Sequence, residues 1–520
     1  MPGILDLPRE LVQCIAEHLS CQPDINALAR TATYTYQVVD LHLYRVNAQC
    51  NSSALLWAAK FGELGTAQKS LEAGAQTQLS VLQAALSKAA EFGHEYVVDL
   101  LLDIEGVDSD FEDSDGETPL FKAAKNGQAE VINMLLIRDS VNPDFKIKTG
   151  ETPLWWAASI GNEEVVALLL GLGDWVKPNS RNIRGETPLS CASQNGHLKV
   201  VRLLLGTRGI DPNLQDFMGE TPLFKAIMNK HRFVVEQLLA SISIDCDLAD
   251  RRGDTPLTKA ASQDDEALVK LLLAKGVARP DANDLSGRTT LSWAAQWDHL
   301  DVTRLLLATK GIDPNSKDYW GCTPLWHAAS CGNEGVVDLL LGCASVNPDS
   351  ACNKGTTPLY CAAAGGYETI VNALIATGRV NPNVENGTDQ AALSIAAFNG
   401  HEMIVRRLLA AGANPDIKDS NWDTPLSISC SAAHGREAVA KLLLATEGVN
   451  LNSQNIQGRT PLSIAVQRGK RGMVELLLTT EGVNARLNDF EGRTPLSWTD
   501  NIGDKAVAEV IRDRLSFFEA

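Results

Sequence analysis

Long hydrophobic runs are missing from this chain: no stretch of about 18 uninterrupted apolar residues occurs, and Met1 to Glu10 has no charged lead followed by an apolar run. Neither membrane insertion nor secretion is signalled, so a cytoplasmic or nuclear protein is expected. Positive charge is also short. Against 64 Asp and Glu stand 46 Lys and Arg, a formal charge of -18, which repels phosphate backbones and anionic lipid wherever salt does not screen it. Nucleic acid and membranes are therefore not expected partners. No Cys-x-x-Cys pair occurs and the eleven cysteines are odd in number, which fits reduced thiols better than a disulfide framework or a zinc site. Phosphate loops, the paired histidines of zinc proteases and the Gly-x-Ser-x-Gly elbow are missing too. Without a convergent nucleophile, base or ligand set, no enzyme, metal or cofactor is expected.

What is present is periodicity. A chain of 520 residues, 44% hydrophobic, is too long for one compact core, and a repeat is the first alternative. Thr-Pro-Leu begins at Thr118, Thr152, Thr187, Thr221, Thr255, Thr323, Thr357, Thr424, Thr460 and Thr494, mostly at steps of 34 residues or a multiple. Degenerate copies at Ser53, Ala84, Thr289 and Ala391 complete fourteen units, and a two-residue insertion before Gly435 stretches one step to 36 residues. Physically each unit reads alike. Thr caps a helix whose first residue is proline, where the missing N–H costs nothing. Small pairs such as Ala123-Ala124 let helices approach. A glycine nine residues after the Thr suits a left-handed helix end, a second helix carries runs such as Val165-Val166, and a turn such as Asp211-Pro212-Asn213 leads on. Neither helix alone buries its apolar face, so neighbouring units must stack.

Gly185-Glu186-Thr187-Pro188-Leu189 through Gly196-His197, then Val200 to Leu205, resembles an ankyrin repeat. The resemblance spans roughly 53 to 520 and implies an all-α solenoid of helix-turn-helix units with hairpin loops. Two departures stand out. The usual His after Thr-Pro-Leu is replaced by Phe121, Trp155, Ser190, Phe224, Trp326 or Tyr360, so the inter-repeat bonds attributed to that His are expected to be missing. The period is also one residue longer than the common one. In the last unit Thr499-Asp500 replaces the small pair and Asp504, Lys505, Glu509, Arg512, Asp513 and Arg514 crowd the second helix, as suits a terminal cap. His94, His197, His299 and His401 recur about every three repeats, and at about 10 Å per layer no metal could bridge them.

Residues 4 to 46 do not follow the repeat, and 47 to 52 read as a linker. Pro8 can open a helix with Leu11, Ile15 and Leu19 on one face, followed by short helices near Asp24 and from about Thr33. The run Leu5-Asp6-Leu7-Pro8-Arg9-Glu10-Leu11, with Ile15, Leu19, Leu28 and Tyr44, resembles an F-box. That resemblance implies a three-helix module that docks on the adaptor of an SCF-type cullin-RING ubiquitin ligase, and through it on a cullin. Leu7, Pro8, Leu11, Ile15 and Leu28 would face the adaptor, while the array would select a protein target for modification. The same apolar residues could instead cap the array by shielding Leu55 and Trp57.

Hairpin tips and the positions before the turn glycine line one face of ankyrin-like stacks. There the chain carries Phe217, Met218, Trp297, Tyr319, Trp320, Phe398 and Trp422. Trp297, Tyr319 and Trp320 adjoin most closely and are the expected target-binding set, although a hairpin aromatic can also pack on its neighbour. Trp57, Trp156, Trp293 and Trp498 sit four residues after the Thr position and are expected in the core. The acidic run from Asp103 to Glu117 is expected to be a solvated loop.

Overall fold

A computed structural model describes residues 53–520 apart from 76–77, 139, 276–278, 433–435, 503–504 and 518–520. The expected module at 4 to 46 and linker at 47 to 52 lie outside the described residues. The chain divides after Arg251 into two compact units. The described residues hold 28 α-helices in fourteen pairs, from Ser53–Phe61 with Leu64–Glu72 to Pro495–Ile502 with Lys505–Phe517. Extended structure among them is limited to one bridge, Asn283 to Thr289. Within each compact unit first helices pack on first helices and second on second. This is the expected all-α repeat array.

Local chemistry sets where each helix starts and stops. Thr118, Thr152, Thr221 and Thr323 each accept the backbone N–H three residues on, at 3.1 to 3.2 Å. Thr187 and Ser190 form a reciprocal capping box. Helices close on glycines such as Gly127 and Gly332, with φ of 77° and 82°. Among the described residues five others share that left-handed backbone: Lys230, Asp264, Asp298, Asp389 and Trp422, with φ from 56° to 61°. Each stands where most units supply the turn or hairpin glycine. A side chain there costs about 1–2 kcal/mol, so glycine has been lost while the backbone it serves has been kept.

The core lies between layers. Leu120, Leu154 and Leu189, the paired alanines Ala123, Ala124, Ala157 and Ala158, and Val165, Val166 and Leu169 of a second helix are all fully buried. Each leucine contributes about 1.5–3 kcal/mol by leaving water. The expected core tryptophans need correcting. Trp57 is 50% exposed and Trp156 and Trp293 are half-buried, whereas Trp498 alone of the four is buried. The seam between layers is filled one residue earlier, by Phe121, Trp155 and Phe224. One residue turns the side chain about 100° around the helix, and that step points Trp293 and Trp498 at the hairpin instead.

The inter-repeat hydrogen bonds are also not missing. Trp326 Nε1 donates to the carbonyl and hydroxyl oxygens of Thr356, both at 3.2 Å, and Tyr360 Oη donates to Gln390 Oε1 at 3.2 Å. An indole or phenol thus replaces the imidazole. His94, His197 and His299 each reach back one layer, to the carbonyls of Lys60, Ser159 and Ala261 at 2.7 to 2.9 Å. Their spacing therefore serves stacking. A further ladder joins successive loops: Asn179 accepts from the Asp211 N–H, Asn213 from Asp245, Asn315 from Asn347 and Asp349 from Asn381. In the acidic run, Asp110 accepts from the Asn142 N–H, and Asp113 and Glu117 pair with Lys122 and Lys125. That loop is partly framework, not solvated charge alone.

Candidate functional site

Most hairpins are organised by one side chain, while the turn at Ile147 to Glu151 forms through backbone alone. Asp216 shows the pattern: its Oδ1 accepts the N–H groups of Met218 and Glu220 at 2.8 and 2.9 Å. Its Oδ2 meets a side chain nine residues on, Lys225 Nζ at 2.9 Å. Asp284 and Asp489 repeat this with the indoles of Trp293 and Trp498 at 2.9 and 3.1 Å. Successive hairpins then touch through backbone, as Tyr319 N–H to Ser286 O at 3.0 Å and Asn353 N–H to Trp320 O at 2.8 Å. Glycine is required there for a second reason besides φ. A Cβ on Gly355 would come within 2.8 Å of the Asn386 backbone.

In the ninth unit the same frame carries different chemistry. Asp318, whose side chain is fully buried, accepts the N–H groups of Trp320 and Cys322 at 3.0 and 2.8 Å and bonds His327 Nε2 at 2.9 Å. Arg288 Nε lies 3.6 Å from the same carboxylate oxygen. Cys322 stands where other hairpins have Glu220, Arg288, Gln390 or Arg459. Asp318, Cys322 and His327 offer ligand atoms that all lie within 4.8 Å of one another, and all three residues are buried. In the tenth unit Cys352 takes the organising Asp position, with the Lys354 N–H 3.4 Å and the Thr356 hydroxyl 2.8 Å from its sulfur. Cys361 takes the position nine residues on.

These groups face one cavity of about 470 Å³, also lined by Arg288, Trp320 and Trp326. Burial, with the Asp318 charge adding to it, pushes the Cys322 thiol up to about 12, and burial pushes Cys361 up to about 12 as well. Burial opposes ionisation of Cys352 too, but hydrogen bonds from Thr356 and from backbone N–H groups outweigh it and hold that thiol below its usual range. Burial also lowers His327, more than the Asp318 contact raises it. Its ring is neutral at neutral pH. A second groove, of about 930 Å³ beside Leu170, Val176 and Leu203, gathers Lys177 and Arg208 but no ligand cluster.

Trp297, Tyr319 and Trp320 are 57%, 70% and 54% exposed. The structure does not gather all three. Trp320 lines the cavity with the Arg288 guanidinium 5.5 Å from its ring, and Tyr319 on the same hairpin lies against Gly287. Trp297 caps the helix Thr290–Gln296, and among the described residues no ring contact joins it to the pair. Arg288, Cys322, His327 and Cys352 were not read from the sequence at all, Trp326 was read only as a replacement for the repeat His, and Cys361 reads from its repeat position as a small core residue. A signal existed: five of the eleven cysteines fall between 322 and 361, at spacings of nine and twelve.

Family models described as ankyrin repeats match residues 55–148, 86–179, 137–216, 174–250, 223–318, 313–386 and 370–455, and a further one matches 442–497. The chain belongs to the ankyrin-repeat family. No F-box model matches it, and no curated protein does. A similar solved structure is the ankyrin repeat domain of Bcl-3, described as a unique member of the IkappaB protein family. It is 28% identical, over 43% of this chain and 98% of that one, at a TM-score of 0.39. Ankyrin repeats bind protein partners and are typically non-catalytic scaffolds. Among the described residues of this ankyrin-repeat protein no helix is long and apolar enough to cross a membrane.

Proposed function

We propose that this ankyrin-repeat protein is the substrate-recognition subunit of an SCF-type cullin-RING ubiquitin ligase. In this reading Leu7, Pro8, Leu11, Ile15 and Leu28 recruit the ligase adaptor, and the array holds a protein target through Trp320, Tyr319 and Trp297. The observation that carries target binding is Trp320, more than half exposed beside a cavity of about 470 Å³ on a hairpin fixed by Asp318. A large ring on a fixed backbone buries much area with little rotamer loss. The adaptor half rests on the spaced residues of the N-terminal segment alone.

The test is direct binding of purified adaptor to the full chain, to Leu11→Ala/Ile15→Ala, and to residues 47–520. Each truncation removes on the order of 2 kcal/mol of apolar contact, so the double variant should bind at least about tenfold more weakly. Equal binding by residues 47–520 would overturn the adaptor reading and leave a plain scaffold whose N-terminal helices cap the array.

A further inference from the structure

The pairing of Asp318 with His327 has a structural precedent within the chain, since Asp284 and Asp489 hold Trp293 and Trp498 in the same way. That precedent does not account for the thiols. The residue four after the organising position is polar in the other described hairpins: Glu117, Glu151, Glu186, Glu220, Asp254, Arg288, Thr356, Gln390, Asp423, Arg459 and Arg493. Among the described hairpins it is a thiol only at Cys322, and the organising position of the following hairpin is Cys352, where the others have Asp or Asn and one has Ile147. The two substitutions fall on adjoining hairpins, and Cys322 and Cys352 line the same cavity. We propose that Asp318, Cys322 and His327, with Cys352 as the fourth ligand, form a site for one zinc-class divalent cation in the reduced protein.

The donor set suits such an ion. Zinc takes four ligands from thiolate, imidazole and carboxylate in a tetrahedron, whose ligand atoms stand about 3.3–3.8 Å apart. The His327 to Asp318 contact of 2.9 Å opens by only a few tenths of an ångström to that spacing, and the 4.8 Å envelope of the three donors closes by about one. Charge balances as well. One carboxylate and two thiolates exceed a divalent cation by a single negative charge, and the Arg288 guanidinium beside Asp318 offsets it. Before binding, the His327 Nε2–H donates to Asp318, so ligation through Nε2 requires that ring proton to pass to Nδ1. As the two metal–sulfur bonds form, the protons of Cys322 and Cys352 leave to solvent, so affinity rises with pH. No electron transfer is involved. The cavity beside exposed Trp320 provides the entry path, and the bound ion would clamp the hairpin of Trp320 to the one that follows.

Titration of the reduced full chain with cobalt(II) tests this, because thiolate ligation gives a near-ultraviolet charge-transfer band and tetrahedral geometry an intense visible one. The wild type should show both bands at one cobalt per chain. Cys322→Ser and His327→Ala, checked for native circular dichroism, should bind more weakly than the roughly 10–100-fold loss that removal of an outer hydrogen bond causes. Cys246→Ser, at a buried cysteine elsewhere, should behave as wild type. A wild type without the charge-transfer band, or Cys322→Ser with unchanged affinity, would overturn the site. Alkylation of the wild type gives a reading that needs no variant. Zinc should shield Cys322 and Cys352 while exposed Cys331 still reacts, and equal labelling of Cys322 and Cys352 with and without zinc would also overturn it.

Discussion

The sixth and ninth hairpins share one backbone and differ in what that backbone holds. Asp216 and Asp318 accept the same two N–H groups. Nine residues on, the sixth unit has Lys225, 3% exposed in its side chain and bonded to Asp216 at 2.9 Å and Glu186 at 2.8 Å. Burial opposes its charge, yet the two carboxylates outweigh burial and hold its pKa above the usual value. The ninth unit has neutral His327 there, with thiols around it. The hairpin frame is thus set by a carboxylate and a glycine, and the ninth position is free to carry an ion pair, an indole or an imidazole. Chemistry can change along the array without a change of fold.

The widest separation between the two hairpins should come from removing the organising carboxylates. Asp216→Ala strips a buried cation of one partner, a loss of about 3–5 kcal/mol in similar cases. Asp318→Ala leaves a neutral ring and two N–H groups short of an acceptor, about 1–3 kcal/mol, and the Arg288 guanidinium it also loses, at 3.6 Å and 19% exposed, is the looser and wetter partner. Local opening free energies from hydrogen exchange over 216–228 and 318–331 measure both, and equal losses would erase the distinction. Next in size is the twelfth unit, where Trp422 occupies a glycine position at φ 61°. Trp422→Gly should stabilise that layer by about 1 kcal/mol through strain relief, read as slower exchange over 424–431. No gain would mean that the Lys418 ammonium, 5.6 Å from the indole centre, holds the ring as firmly as strain opposes it.

A gentler contrast uses pH. Burial, aided by Asp419, lifts Asp423 to about 6, although Asn455 resists. The folded layer therefore binds a proton more readily than the unfolded chain, so its stability is greatest below the ordinary value of 3.8 and falls as pH rises through about 6. Asp489 is the reverse: burial opposes, but Arg493 wins and holds its pKa down, so its contribution is lost only in acid. From about pH 7.5 to about pH 5, exchange corrected for its intrinsic rate should slow over 423–431 and stay level over 489–498. Asp423→Asn should abolish the difference. Smallest of all should be the effect of Trp297→Ala and Trp320→Ala on stability, within about 0.5 kcal/mol at such exposed positions, while target dissociation quickens. A lowered melting temperature with binding intact would move the site elsewhere.

The repeat, its count and its helix boundaries were legible because Thr-Pro-Leu and the turn glycine are local signals with local causes. The candidate site was legible only in part. Trp320 announces itself as an aromatic on a hairpin tip, but Cys322, His327, Cys352 and Cys361 share a cavity through stacking of successive layers, which no local pattern states. Placing Trp57 and Trp156 in the core failed for a related reason. The seam and the hairpin side of a helix are one residue apart, and only packing decides between them. The exchange of imidazole for the Trp326 indole likewise kept a bond that the loss of His seemed to remove.

Each layer is as strong as its own hairpin frame is complete, and site-resolved hydrogen exchange along the full chain reads this layer by layer. Layers with both glycines and a filled clamp, such as the ninth around Gly321, Gly332 and Asp318, should open last. The seventh, where Asp264 holds φ 57°, and the twelfth, with Trp422, should open first. Uniform protection from end to end would show that the hairpin frame does not set the strength of a layer.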